Sequence, residues 1–239
     1  MNYKKPVEHL IEYAELEEII KILKVSNKNI FFVGGATRSI LSEEYSNTDI
    51  DIVVPNIEDE AIEELNNQFD VKFFPSYRSL AISTGNFEYQ INSFRKDIKS
   101  TGRHSKVAPA QTLNEDSQRR DFTFNSVYIN LDGDVFDFYS GVKDFHENLL
   151  RFIFNPIDQI QQDYLRAIRY IRFLSLFQNT KTRKEDIDAI LLLSENIFDF
   201  VKEKKISQEL TKIKEMPYPL NSVHFLENHR ELRDFLQFF

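Results

Sequence analysis

The 239-residue chain has no cysteine, no tryptophan and only six glycines, and its formal net charge is −8. Without cysteine, disulfides and thiolate metal sites are excluded, so a metal would need oxygen or imidazole ligands. No apolar run is long enough to span a bilayer. The first residues mix lysine with several glutamates, unlike a signal or transit peptide. These absences predict a cytoplasmic protein with no membrane partner.

The negative net charge argues against a nucleic-acid binder, because such proteins are usually basic. The charge is unevenly distributed, however. Basic residues gather at Arg119–Arg120, Arg166–Arg172, Lys202–Lys205 and Lys212–Lys214. Because the local field steers a polyanion, these clusters leave nucleic-acid binding open, with solvated surface charge as the alternative.

The chain changes character near Arg151. Before it, short strand-like runs alternate with helical segments, whereas after it the apolar spacing is helical. The expected strands include Asn29–Val33, Thr48–Val54 and Phe122–Leu131. Residues Arg95–Asn114 are expected to form a long loop. The prediction is an α+β fold, with a mixed β-sheet and flanking helices in residues 1–151 and an all-helical domain in residues 152–239.

Two long helices are expected from the spacing of apolar residues, Val7–Lys24 and Gln159–Phe177. The second is apolar around nearly its whole circumference, which predicts burial. Asp163 and Arg166 lie three residues apart in it, so we expect them on one helix face. A carboxylate acceptor beside a guanidinium fork can mimic the edge of a base, and an ordinary ion pair is the alternative.

The sharpest local feature is Asp49-Ile50-Asp51 inside an expected strand. Residues two apart in a strand point the same way, so the two carboxylates share one face. They repel each other unless a cation lies between them, and Mg²⁺ suits oxygen ligands while keeping room for phosphate. The alternative is an edge strand with a solvated face.

A glycine pair, Gly34-Gly35, ends the strand that precedes this one, and a helix is expected directly after it. Free backbone N–H groups at such a turn suit a phosphate, and glycine lets the backbone approach a triphosphate closely. A simple tight turn is the alternative. The glycine patterns of a P-loop and of a dinucleotide-binding fold are both missing.

Three motifs, taken in order, resemble those of class II tRNA nucleotidyltransferases and bacterial poly(A) polymerases, which belong to the DNA-polymerase-β-like superfamily. The matching residues are Gly34-Gly35, Arg38 and Asp49-x-Asp51, then Arg119-Arg120-Asp121 with Asn125, then Gln162-Asp163-x-x-Arg166. Two departures stand out, since Ser39 replaces the usual Asp and Gln162 the usual Glu.

The resemblance implies template-independent, Mg²⁺-dependent addition of CCA, or part of it, to the 3′ end of tRNA from CTP and ATP. It implies Asp49 and Asp51 as catalytic ligands of two Mg²⁺ ions, and Asp121 as the reader of the ribose 2′-hydroxyl. At the position of the family's third carboxylate stands Gln90, so either Glu88 serves in a shifted register or two carboxylates hold the metal together with phosphate. The residues expected to bind nucleotide or phosphate are Gly34, Gly35, Arg38, Arg119, Asp121, Asn125, Asp163, Arg166 and Arg169, with Arg103 and His104 as further candidates.

Several alternatives stay open. The CC-adding, A-adding and poly(A) polymerase specificities use the same motifs, so the sequence does not separate them. A non-catalytic RNA- or nucleotide-binding remnant is favoured by Ser39 and Gln162, whereas the retained pair Asp49 and Asp51 opposes it. The resemblance covers the family's head and neck domains, and the body and tail domains are expected to be absent. The sequence does not indicate the oligomeric state.

Overall fold

The computed structural model of the protein describes residues 2–46, 48–100, 102 and 105–238. The chain forms two compact units. The first, called the sheet unit, comprises residues 1–97, 107–120 and 124–142; the second, called the helical unit, comprises residues 98–106, 121–123 and 143–239. The candidates Arg103 and His104 lie outside the described residues.

In the ranges that the structure describes, nine strands lie before residue 140. They are β1 (Phe31–Val33), β2 (Asp49–Val54), β3 (Asp70–Phe74), β4 (Ser79–Ser83), β5 (Glu88–Ser93), β6 (Arg95–Ser100), β7 (Ser105–Pro109), β8 (Val127–Asn130) and β9 (Val135–Asp137). Seven form a sheet in the order β3-β4-β5-β2-β1-β8-β9, while β6 and β7 pair separately. In the seven-stranded sheet β2 and β5 run parallel, and the other neighbours run antiparallel.

Among the described residues, six α-helices accompany these strands. They are α1 (Lys4–Tyr13), α2 (Glu17–Leu23), α3 (Gly35–Ser42), α4 (Asp59–Gln68), α5 (Leu113–Ser117) and α6 (Gly141–His146). The prediction of one helix over Val7–Lys24 was wrong, because the chain breaks between α1 and α2, where Glu15 has a φ of 50°. Helix α3 packs on β1, β2 and β8 and on α1, while α2 packs on α4.

The alternation of side chains in β2 gives the sheet two different faces. Ile50, Ile52 and Val54 are fully buried on one face, whereas Asp49 is exposed and Asp51 half-buried on the other. On the aspartate side, Phe31 and Val33 of β1 and Tyr128 of β8 form an apolar cluster with Phe94 and Ala110. That cluster buries the middle of the sheet, whereas Asp49 at the start of β2 is exposed.

Two predictions for residues 95–131 were wrong. The expected loop Arg95–Asn114 contains β6 and β7 and ends in the first turn of α5. Helix α5 begins with a capping box, since Thr112 Oγ1 accepts from Glu115 N at 3.2 Å. In the expected strand Phe122–Leu131, only Val127–Asn130 is extended, after a 3₁₀ turn at Thr123–Ser126.

Helices dominate the helical unit. They are α7 (Pro156–Gln162), α8 (Leu165–Phe173), α9 (Lys184–Leu192), α10 (Ser194–Phe200), α11 (Glu203–Thr211) and α12 (Leu220–Asn228), followed by a 3₁₀ helix at Arg230–Phe238. One short strand, β11 (Lys181–Thr182), interrupts the all-helical pattern expected after residue 151, and it pairs in parallel with β10 (Leu149–Leu150). The α+β class predicted from the sequence is confirmed. No helix in the described ranges is long and apolar enough to cross a membrane.

Candidate active site

The two aspartates of β2 lie beside polar residues of the parallel neighbour β5. Asp49 is opposite Glu88, and Asp51 is opposite Gln90. Because partners in register point to the same side, these four side chains share one face. Glu88 and Gln90 are both exposed. The strands therefore present a polar patch at the start of β2 and β5, on the face opposite to Ile50 and Ile52.

The glycine turn lies directly against Asp51. Gly34 has φ +63° and ψ −121°, a conformation that favours glycine. A Cβ atom added there would lie 3.1 Å from Asp51 Oδ2. Helix α3 starts at this turn, and Arg38 N donates to Gly34 O at 3.2 Å. The carboxylate of Asp51, the backbone of Gly34 and the first turn of α3 therefore lie next to one another.

The chemistry of the donor set fits Mg²⁺. Carboxylate oxygens are hard ligands, and Mg²⁺ is usually held by one or two carboxylates together with phosphate oxygens and water. Glu88, the candidate third ligand, accepts from Ser83 Oγ at 2.6 Å. Over the described part of the chain, no group of three or more His, Asp or Glu residues could hold a metal. Asp49 and Asp51 are two neighbouring carboxylates on one face of β2, which is the donor set that such a site requires.

Two more predicted residues meet within the sheet unit. Arg38 Nη1 donates to Asn125 Oδ1 at 2.5 Å, and Asn125 is buried. The hydroxyl of Thr37, one residue before Arg38, donates to Val127 O at 3.2 Å. These contacts tie α3 to the start of β8. Ser39, where the family usually has Asp, is buried.

The arginine pair is organised by Asp116, a residue that sequence reasoning missed. Arg119 Nε and Nη2 donate to Asp116 Oδ1 at 3.1 and 3.0 Å, and Arg120 Nη2 donates to Oδ2 at 3.2 Å. Burial by itself raises the pKa of Asp116, but the two arginines outweigh it and lower the pKa to about 2. The spacing of three and four residues from Asp116 was the available signal.

In the helical unit, Asp121 and Arg169 form an ion pair. Arg169 Nε donates to Asp121 Oδ2 at 2.6 Å, while Phe122 N donates to Oδ1 at 2.9 Å. Asp121 is buried. Burial alone would lower the pKa of Arg169, but Asp121 and then Glu209 raise it above its ordinary value. Asp121, the residue predicted to bind the ribose, is therefore held by Arg169, which was predicted to bind phosphate.

The prediction that Asp163 and Arg166 share one helix face was wrong. Asp163 lies between α7 and α8 in an extended conformation, φ −151° and ψ 103°. Its Oδ1 accepts from Leu165 N at 3.1 Å, so it caps the start of α8. An aspartate before an apolar run is a common helix-start signal, and here it divides the expected helix Gln159–Phe177.

Arg166 is buried and is held by α7. Its Nη1 donates to the side-chain Oε1 atoms of Gln159 and Gln162 and to Gln159 O. Gln159 is fully buried, and its Nε2 has no hydrogen-bond partner among the described residues. Sequence reasoning did not single out Gln159, because a glutamine in a helix carries no distinctive pattern.

The mixed sheet, with Asp49 and Asp51 on β2 beside the Gly34 turn, is the arrangement of a nucleotidyltransferase head domain. The chain matches the family model described as Poly A polymerase head domain over residues 30–151, just over half of its length. It belongs to that family, as the sequence motifs predicted.

Several curated relatives resemble the chain in sequence, and several solved structures resemble it in fold. The human protein "CCA tRNA nucleotidyltransferase 1, mitochondrial" is 26% identical over 208 residues, which cover 83% of this chain and 46% of that protein. A solved CCA-adding enzyme in an apo form aligns with a TM-score of 0.79 and 22% identity, covering 99% of this chain and 57% of that one. A Thermotoga maritima CCA-adding enzyme complexed with tRNA-CCA aligns with a TM-score of 0.76 and 22% identity, covering 99% and 55%. The chain spans about half the length of the curated relatives it matches.

Proposed function

We propose that the protein adds nucleotides to the 3′ end of tRNA, without a template, from CTP and ATP in a Mg²⁺-dependent reaction. The product is CCA or part of it. The observation that supports this most is the position of Asp51, whose carboxylate faces the Gly34 turn on the polar face of β2 within a Poly A polymerase head. The names of the relatives support tRNA as the substrate. The expected cytoplasmic location belongs to the same proposal.

Asp49 and Asp51 are the residues that would hold Mg²⁺. When bound, the metal would lower the pKa of the attacking 3′-hydroxyl and neutralise the departing pyrophosphate. The turn at Gly34-Gly35 leaves room for a triphosphate to approach the backbone, because neither residue carries a side chain. Arg119, held by Asp116, supplies positive charge for the phosphates. Catalysis then rests on positioning and charge stabilisation.

The helical unit supplies groups suited to reading ribose and base. Asp121 is a fixed carboxylate that can accept from a ribose 2′-hydroxyl, which would favour ribonucleotides. Arg166 is a guanidinium anchored by glutamine oxygens, suited to base recognition. We propose a catalytic head in residues 1–151 and a base-reading neck in residues 152–239. The protein surface would then replace a nucleic-acid template.

Poly(A) polymerase is a second candidate activity, because the matching family model carries that description. One assay separates the candidates. Purified protein is incubated with Mg²⁺, labelled CTP or ATP, and three RNAs: tRNA lacking its 3′ CCA, tRNA ending in CC, and an unstructured RNA. The products are sized at single-nucleotide resolution.

Each outcome identifies one specificity. CCA addition predicts two C residues and then one A on the first RNA. Incorporation of C alone, or of A only after CC, indicates a CC- or A-adding enzyme. Long A tracts on any RNA indicate a poly(A) polymerase. Absence of incorporation from every combination, by protein that is folded by circular dichroism, would refute the proposal and support a non-catalytic remnant.

A further inference from the structure

Asp116 is a buried carboxylate that accepts hydrogen bonds from the arginine pair Arg119–Arg120 and from two further residues. It is fully buried in α5. Its Oδ1 accepts from Arg95 N at 3.0 Å and from Arg119, and its Oδ2 accepts from Arg120 and from Tyr128 OH at 2.7 Å. Both oxygens therefore have at least two donors, drawn from four residues.

Stability alone is a poor reason for such a network. Removing a carboxylate and guanidinium groups from water is costly, and apolar residues of similar volume often stabilise a fold equally well or better. The apolar cluster that includes Phe31, Val33 and Tyr128 lies in the same unit, so apolar packing is available there. A retained charged network is better explained by a need to fix charged groups in place.

The groups that Asp116 fixes are cations. The Arg119 and Arg120 side chains are each 15% exposed, so both are largely enclosed yet reach the surface. Arg120 is also held by Tyr128, because its Nε donates to the hydroxyl at 2.7 Å and its guanidinium lies 5.0 Å from the ring centroid. Arg95 binds Asp116 through its backbone N–H, while its guanidinium donates to Asn92 Oδ1 at 3.2 Å. Two guanidiniums therefore bind one carboxylate, and these three side chains together carry an excess of positive charge.

Arg120 of this cluster interacts with the negative charge of Asp51. Asp51 is among the charges that raise the pKa of Arg120, after burial, which lowers it, and after Tyr128 and Asp116, which raise it. Burial first, and then the charge of Arg119, lower the pKa of Arg95 to about 10. The guanidiniums of this cluster repel one another, and a bound polyphosphate would relieve that repulsion. A metal ion held by Asp51 would accompany the polyphosphate.

We propose that Asp116 is a positioning residue, which fixes the guanidiniums of Arg119 and Arg120 so that they receive the phosphates of the incoming nucleoside triphosphate. The inference rests on the proposed nucleotidyl transfer. It assigns no contact between Asp116 and substrate. Its effect passes through the two arginines, so it acts on polyphosphate binding and leaves recognition of the nucleoside unaltered.

The test compares Asp116→Asn with Glu115→Gln. Both changes remove one carboxylate from α5, but Glu115 is partly exposed and pairs with Lys96 at 2.6 Å. For each protein, KM for CTP and the inhibition constants of inorganic pyrophosphate and of CMP are measured with Mg²⁺. For Asp116→Asn we expect KM for CTP and the pyrophosphate constant to rise about tenfold, while the CMP constant changes less than about twofold. For Glu115→Gln, all three values are expected to stay at the wild-type level.

Two results would overturn the inference. Pyrophosphate inhibition of Asp116→Asn could match the wild type, or the CMP and pyrophosphate constants could rise together, which would indicate general damage to the site. If Asp116→Asn does not fold, Tyr128→Phe replaces it, since that change removes one hydroxyl and keeps the ring. It should weaken pyrophosphate about threefold, again without affecting CMP, and an unchanged constant would count against the inference.

Binding of CTP with Mg²⁺ by calorimetry separates this inference from the proposed function. A wild-type protein that binds CTP without incorporating it would refute the proposed activity only. In that case a loss of triphosphate affinity in Asp116→Asn, with CMP affinity kept, would still support the positioning role. If CTP affinity were the same in both proteins, the inference would fail whether or not the enzyme is active.

Discussion

Asp51 Oδ2 faces the backbone of Gly34 so closely that a Cβ atom on Gly34 would lie only 3.1 Å from it. The same glycine has a φ of +63°. An alanine there would be strained by its own backbone and would press on the carboxylate. Two independent constraints thus require glycine at this turn, and both act on the proposed metal ligand.

Gly34→Ala should therefore lower nucleotide incorporation more than it lowers stability. The strain is of the order of 1–3 kcal/mol, while displacement of a metal ligand should cost about a hundredfold in turnover. Incorporation of labelled CTP and the midpoint of urea unfolding measure the two effects. Gly85→Ala is the matched control, because a Cβ there meets nothing within 4 Å. Equal turnover in both variants would contradict the close approach.

The aspartates of β2 can be tested one at a time. Asp49→Ala or Asp51→Ala should abolish incorporation, by about a thousandfold or more, because a metal ion supplies several kcal/mol of charge stabilisation. Neither side chain is buried in the core, and removal of one carboxylate relieves repulsion, so folding should survive. Circular dichroism and CTP incorporation over a range of Mg²⁺ concentrations provide the measurements. Asp70→Ala, an exposed aspartate in β3, is the control. Wild-type turnover in either β2 variant would refute the metal assignment.

The sequence predicted the part of the site that local periodicity determines. Alternation alone indicates that Asp49 and Asp51 share a face, and the Gly34-Gly35 pair marks the turn. The sequence did not predict which side chains bond to each other, because hydrogen bonds between residues far apart in the chain produce no periodic pattern. The Asp121–Arg169 pair joins residues 48 positions apart. Asp163 was misplaced for a different reason: hydrophobic spacing continues across it, whereas its side chain caps a new helix and breaks the old one.

Arg166 should govern the choice of nucleotide. Arg166→Ala removes the guanidinium that Gln159 and Gln162 hold, so the ratio of CTP to ATP incorporation should fall about tenfold. It should also destabilise the fold by roughly 1–3 kcal/mol, since it leaves the buried Gln159 oxygen without its donor. Steady-state kinetics with each nucleotide and urea unfolding give the two numbers.

Arg183→Ala separates these two effects. Arg183 pairs with the fully buried Asp186 at 2.6 Å, so its loss should destabilise the same unit. It should leave the CTP to ATP ratio at the wild-type value. If both arginine variants change that ratio equally, the change reflects loss of stability and not recognition by Arg166. An unchanged ratio in Arg166→Ala would refute its role in base recognition.

The ionised Asp116 should make the free energy of unfolding fall as the pH is lowered. Its pKa is about 2 in the folded protein against an ordinary value of 3.8, so the folded state favours the ionised form. The resulting stabilisation, roughly 2 kcal/mol, is complete above the unfolded pKa and is lost as the pH falls towards 2. The free energy of unfolding of the wild type should therefore approach that of Asp116→Asn by about this amount between about pH 5 and pH 2. Urea titrations of both proteins across this range measure the difference, and a gap that stays constant with pH would show that the charge of Asp116 does not stabilise the fold.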